Sequence, residues 1–192
     1  MKRAVLDLDS ACYVPSVLHD ESRIWPETNC AADFWIEGLH ALGFPPECAL
    51  GFTLSMDFDG DQWRMFKFPP DDLRRLFGIE VDELNVWRSL TEHLVEQVGL
   101  GRFVTVDVDG WHLPDTAGLT YHAAHQKTTI MVQMIDVEAC RLGYFHNTSY
   151  YELAGADFDA LENLRRLALA EKVREPEQLK IWAEESQDVA PA

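Results

Sequence analysis

The stretch Pro26-Glu27-Thr28-Asn29-Cys30-Ala31-Ala32-Asp33-Phe34-Trp35 decides the reading of this chain. It sets a cysteine where an extended segment turns into an amphipathic helix. Thr28 and Asn29 are residue types whose side chains accept from the free N–H groups of a first helical turn. Ala31, Phe34, Trp35, Leu39 and Leu42 recur at helical spacing, and Gly43 followed by Pro45 and Pro46 supplies the stop. The spacing predicts a helix from Cys30 to Leu42 with the thiol in its first turn. Unpaired N–H groups and the positive end of the helix dipole favour a thiolate there. Cys30 therefore reads as a nucleophile; the plainer reading is a small, half-buried residue that packs a helix start. Asp33 and Glu37 project from roughly the same helical face, and their charge opposes a thiolate. Activation must then come chiefly from a histidine.

Outward from that helix, mixed elements precede an antiparallel sheet. Arg3 to Leu8 reads as a strand, followed by irregular chain to Pro26 that holds Ser10, His19 and Trp25. No glutamine lies ahead of Cys30 to act as a papain-type oxyanion donor. Leu50 to Phe58 and Trp63 to Phe68 flank an Asp-Gly turn and predict a hairpin. Asp57, Asp59 and Asp61 there lack the glycine and glutamate of an EF-hand loop and read as a solvated turn. Helices are expected over Asp71–Phe77 and Val81–Val98, with His93 a satisfied structural histidine on the second. Phe103–Asp109 alternates strictly; Thr128–Ile135, Arg141–Phe145 and Tyr150–Leu153 follow as strands, and Asp157–Lys172 as a helix. Residues 1–172 are expected to form the one domain. Residues 173–192 read as an acidic C-terminal tail, weakly attached or the start of something truncated.

Composition narrows the function. The 192 residues carry 33 acidic against 16 basic side chains, a formal charge of −17, which disfavours nucleic acid and anionic membranes as partners. No apolar run is long enough to span a bilayer, and the N-terminus lacks a signal-peptide layout. The four cysteines, Cys12, Cys30, Cys48 and Cys140, show no CxxC spacing, so a reducing cytoplasm is the expected location. His112, His122, His125 and His146 raise the idea of a metal centre. Without HExxH or a cysteine pair, no metal is expected.

A neutral thiol is a modest nucleophile, so an imidazole must take its proton and a third polar group must orient that imidazole. His125, just ahead of a strand, is the first choice for the base, and Asn147, at the end of the paired strand, for the orienter. His122 and His146 are the rival bases, and Asp107 or Asp109 could replace Asn147 across the sheet. The order of helix-start cysteine, helices, then sheet with histidine and asparagine predicts an α+β, papain-like cysteine-enzyme fold, its N-terminal helices packed on an antiparallel sheet.

The runs Asn29–Glu37, Asp57–Trp63, Phe66–Pro69, Leu113–Thr116, His122–Thr129 and Gly143–Asn147 resemble a bacterial domain-of-unknown-function family. Its members are found near amino acid:carrier protein ligases and carrier proteins. More remotely, Val106-Asp107-Val108-Asp109, Leu113-Pro114, Tyr121, two histidines three apart and an apolar strand ending in Asp136 are similar to the butirosin-type papain-like acyltransferase N-terminal domain. That resemblance implies aminoacyl transfer from a carrier-protein thioester to an amine or water, with Cys30 as acyl acceptor, His125 as base and Asn147 in the third position. It implies no bound cofactor; the phosphopantetheine thioester would arrive on an acyl or aminoacyl carrier protein. Trp35, Asp115, His122 and Lys127 lie in the stretches that carry the resemblance and are expected to line the binding surface. Two other readings stand beside it: a non-catalytic binding module for a carrier protein or small molecule on the same fold, and a thiol peptidase or amidase.

Overall fold

Asn29, at φ −145°, caps the start of a helix, and its side-chain oxygen accepts from the Ala32 N–H at 3.2 Å. Helix α1 then runs Cys30–Ala41 and is closed by Leu42, whose N–H returns to Gly38 O. The computed structural model describes residues 1–20, 29–55, 58, 60 and 67–160. Two more helices follow, α2 Pro70–Phe77 and α3 Leu90–Gly99, and residues 156–160 are helical.

Five antiparallel strands make one sheet: β1 Lys2–Arg3, β2 Val104–Asp109, β3 Lys127–Asp136, β4 Arg141–His146 and β5 Ser149–Ala154. β3 is central. β4 and then β5 lie along one edge, and the other edge is shared, β2 taking Lys127 to Val132 and β1 taking Met134 and Ile135. This mixture of helices and antiparallel sheet is an α+β fold.

Both faces of β3 are buried, against different helices. On one, Leu94 and Val98 of α3 pack on Val106, Ile130, Val132, Leu142 and Tyr144. On the other, Phe34 of α1 packs on Met131, Phe145 and Tyr150. The opposite flank of α1 meets Ala49, Phe68 and Leu73, so the helix is buried between the sheet and α2. A bulge between Val132 and Met134 inserts Gln133 and reverses the alternation, so that Ile135 joins Ile130 and Val132 on the α3 face.

Three expectations are corrected. The first strand stops at Arg3 because β1 reaches only the end of β3, whose remaining edge is occupied by β2. Leu50–Ser55 belongs to a 3-10 segment, Pro46–Ser55, in place of a hairpin arm; Ala49, Leu50 and Phe52 pack beneath α1, and Thr53 bonds back to Leu50 O. The facing arm and the acidic turn lie mostly outside the described residues. The long helix begins at Ser89, not Val81. Ser89 and Glu92 form a capping box, and the N–H groups of Trp87 and Arg88 donate to His93 Nε2 at 3.3 and 3.2 Å, satisfying that histidine as expected. Beyond residue 160, the C-terminal helix and tail expected from the sequence lie outside the described residues.

Two glycines show how tightly this sheet is assembled. A Cβ on Gly143 would fall well inside contact with the Tyr150 hydroxyl and 3.2 Å from Met134 Cβ. Tyr150 is 1% exposed and cannot swing aside. A Cβ on Gly38 meets only the flexible Met131 side chain, at 3.0 Å from Sδ. Gly143→Ala should therefore cost about 1–3 kcal/mol of overpacking. Gly38→Ala gains roughly 1 kcal/mol of helix propensity against a milder contact and should come out near neutral. Urea denaturation of both variants measures the difference, and Tyr150→Phe should recover part of the Gly143→Ala loss.

Candidate functional site

The lay of α1 on β3 determines where its cysteine end arrives. Gly38 sits over Met131. Eight helical residues back to Cys30 span about 12 Å, and four strand residues back to Lys127 about 13 Å, so the two residues arrive at the same end of the sheet. Lys127 is held above the usual lysine range first by its hydrogen bond to Asp107, then by that carboxylate's charge, with Cys30 adding to it. Helix and strand therefore run in the same direction, and the part-buried Cys30 thiol lies near the start of β3.

A polar cluster occupies that end. Lys127 Nζ lies 2.8 Å from Asp107 Oδ2, and the Thr129 hydroxyl donates to Asp107 Oδ1 at 2.7 Å. Next along β2, Asp109 takes His125 Nδ1 at 2.6 Å and the Trp111 N–H at 3.0 Å. Partial burial would raise Asp109; the Trp111 amide and the His125 ring outweigh it and keep the carboxyl below its ordinary range. An imidazole nitrogen this close to a carboxylate donates, so the His125 lone pair is on Nε2. Trp111 stacks on the His125 ring at 4.6 Å and 13°, fixing its plane.

The other residues singled out by sequence fall into three places. His122, at φ +52°, stacks on Tyr121 and lies 3.5 Å from Asp157; its ring is 5.9 Å from Trp111, so it borders the His125 group. His146 is buried with both nitrogens engaged, Nδ1 with Asp115 Oδ2 at 2.6 Å and Nε2 with the Thr128 hydroxyl at 2.7 Å. Asp115 also accepts from the Tyr144 hydroxyl at 2.6 Å, which makes it an internal partner. Asn147 is in the β4–β5 turn at φ +46°, and among the described residues no hydrogen bond joins it to His125. Trp35 packs into the core on both flanks of α1. Among the described residues no three metal-ligating side chains converge, and all four cysteines are free.

One cluster was not anticipated as a unit. Glu37, with no exposed surface, accepts from the Tyr13 hydroxyl at 2.6 Å, the Ser16 N–H at 3.0 Å and His19 Nδ1 at 2.5 Å. His19 Nε2 lies 3.5 Å from Asp33. Burial would lower the His19 pKa, but the neighbouring Asp33 carboxylate and the hydrogen-bonded Glu37 carboxylate prevail and push it up to about 9. The available signal was an acid embedded in the apolar run Phe34-Trp35-Ile36-Glu37-Gly38-Leu39, a pattern that demands a buried partner.

A model of the family described as the DUF1839 N-terminal domain matches residues 14–181, and the chain belongs to that family. No curated protein and no solved structure matches the chain.

The raised His19 pKa links stability to pH. Its contribution is fully present below the unfolded value of about 6.5 and is lost as pH rises through about 9. The unfolding free energy should fall by on the order of 3 kcal/mol between pH 6 and pH 10. His19→Gln should flatten that slope, as measured by denaturant titration at each pH.

Proposed function

We propose that this member of the DUF1839 N-terminal domain family is a cysteine-dependent acyltransferase with papain-like chemistry. Cys30 is the nucleophile, His125 the base and Asp109 the group that orients it. The observation that carries the reading is the His125–Asp109 pair, 2.6 Å apart, with Trp111 stacked on an imidazole that stays largely exposed. Asp109 is one of the carboxylates the sequence offered in place of Asn147.

The chemistry follows from these roles. The Cys30 thiolate attacks the carbonyl carbon of an acyl thioester, and the oxyanion collapses with loss of the donor thiolate, leaving an acyl-enzyme. An incoming amine then attacks that carbonyl. His125 Nε2 takes its proton, and the Cys30 sulfur departs as thiolate. Water in place of the amine gives hydrolysis by the same route. The remote resemblance of Val106–Asp109, Leu113-Pro114 and the two histidines three apart to the butirosin-type acyltransferase domain favours a phosphopantetheine thioester as donor, delivered in the cytoplasm by an acyl or aminoacyl carrier protein. Among the described residues no helix is long and apolar enough to cross a membrane.

An acyl thioester of N-acetylcysteamine, a small mimic of the carrier arm, tests the assignment. Intact mass spectrometry should detect an acyl adduct on Cys30 that Cys30→Ala abolishes. His125→Ala should slow turnover about 10²–10⁴-fold. Asp109→Asn should also slow it, while Asn147→Ala leaves it unchanged. An adduct that persists in Cys30→Ala, or maps to Cys12, Cys48 or Cys140, would sink the assignment.

A further inference from the structure

We infer that His19 is a positioning residue for the Cys30 nucleophile, a buried counter-cation that cancels the two carboxylates on the cysteine's own face of α1. The inference rests on the nucleophile reading above. Asp33 follows Cys30 by one helical turn and Glu37 by two, so both carboxylates lie on the cysteine's side of α1. Left alone they favour the protonated sulfur and oppose the helix dipole.

His19 reaches both acids. Its Nδ1 lies 2.5 Å from Glu37 and its Nε2 3.5 Å from Asp33, and its side chain is only 5% exposed. Hydrogen bonding alone does not account for this placement. The Tyr13 hydroxyl and the Ser16 N–H already serve the Glu37 carboxylate. What these two neutral donors cannot supply is positive charge. At Asp33 the contact is electrostatic: 3.5 Å is too long for a good hydrogen bond, and His19 Nε2 and Asp33 Oδ2 have no hydrogen-bond partner among the described residues.

The titratable groups that face the two ends of this arrangement come from three elements. α1 contributes Asp33 and Glu37, and the segment ahead of it contributes Tyr13 and His19. The sheet contributes Lys127 and Asp107, which are 73% and 55% exposed and so are well screened by solvent. The buried His19 charge is screened far less, and it persists at high salt.

Iodoacetamide alkylation of Cys30, followed by mass spectrometry across a pH series, tests the inference apart from any acyl transfer. In the wild type Cys30 should label ahead of Cys12, Cys48 and Cys140; if it does not, the nucleophile reading falls and this inference with it. His19→Gln should move the Cys30 inflection to higher pH and slow labelling at pH 7 about three- to tenfold. The same comparison in the Glu37→Gln background avoids stranding a buried carboxylate, so it remains readable if the single variant does not fold. There, adding His19→Gln should again slow Cys30, and adding Asp33→Asn as well should restore it. Equal labelling with and without His19 in that background overturns the inference, as does slow labelling that Asp33→Asn fails to rescue.

Discussion

The close approach of α1 to β3 at Gly38 and Met131 is the contact on which the arrangement of this molecule depends. A helix advances about half as far per residue as a strand, so one point of contact and a shared direction fix the register along the whole pair. Cys30 arrives at the start of β3 for that reason. A side chain at position 38 that held the helix off the sheet would shift the cysteine end of α1 relative to the start of β3 without touching either.

Histidine–carboxylate pairs occur on both sides of the sheet and serve different ends. His146 and Asp115 are both buried, and Thr128 and Tyr144 complete their hydrogen bonding, so the 113–116 turn is tied to β3 and β4. His19 and Glu37 tie the segment ahead of α1 to the middle of that helix. Each pair would be costly to break by removing one member, because the other's polar atoms would be left without a partner in the interior. Asp109 and His125 differ in exposure. The His125 ring is 68% exposed, so its Asp109 pairing orients a group still open to solvent.

Much of this was legible in the chain. Asn29 announces the start of α1, and the strict alternation of Val104 to Asp109 announces β2, because each depends on local chemistry. The strand Lys127–Asp136 was found from its apolar content, since a strand buried on both faces has no alternation to read. The failures were places where partners decide. Val81 to Val86 carry a helical pattern, yet the chain turns at Trp87 and Arg88 to satisfy His93, a nitrogen no periodicity reveals. Leu50 to Ser55 partly alternates but packs under α1 in place of pairing with a strand. At the site, His125 could be chosen from its position before a strand. Its pairing with Asp109 needed the register of β2 on β3, which joins Asp109 to Lys127. Asp33 and Glu37 could be seen only as a liability, because His19 approaches them through the fold.

The bulge at Gln133 lets one strand serve two cores, and this has a consequence for how the protein can vary. From Ile130 to Ile135 every side chain of β3 is buried, Ile130, Val132 and Ile135 on the α3 side and Met131 on the α1 side, so a charge at any of these four would be strongly destabilising. Freedom to accept new side chains is confined to where the strand emerges. One such place is Lys127 to Thr129, beside the cysteine end of α1. Relatives can therefore vary in their side chains at that rim while their interior stays nearly invariant. A comparison of sequences across the family should find its variation gathered beside Cys30.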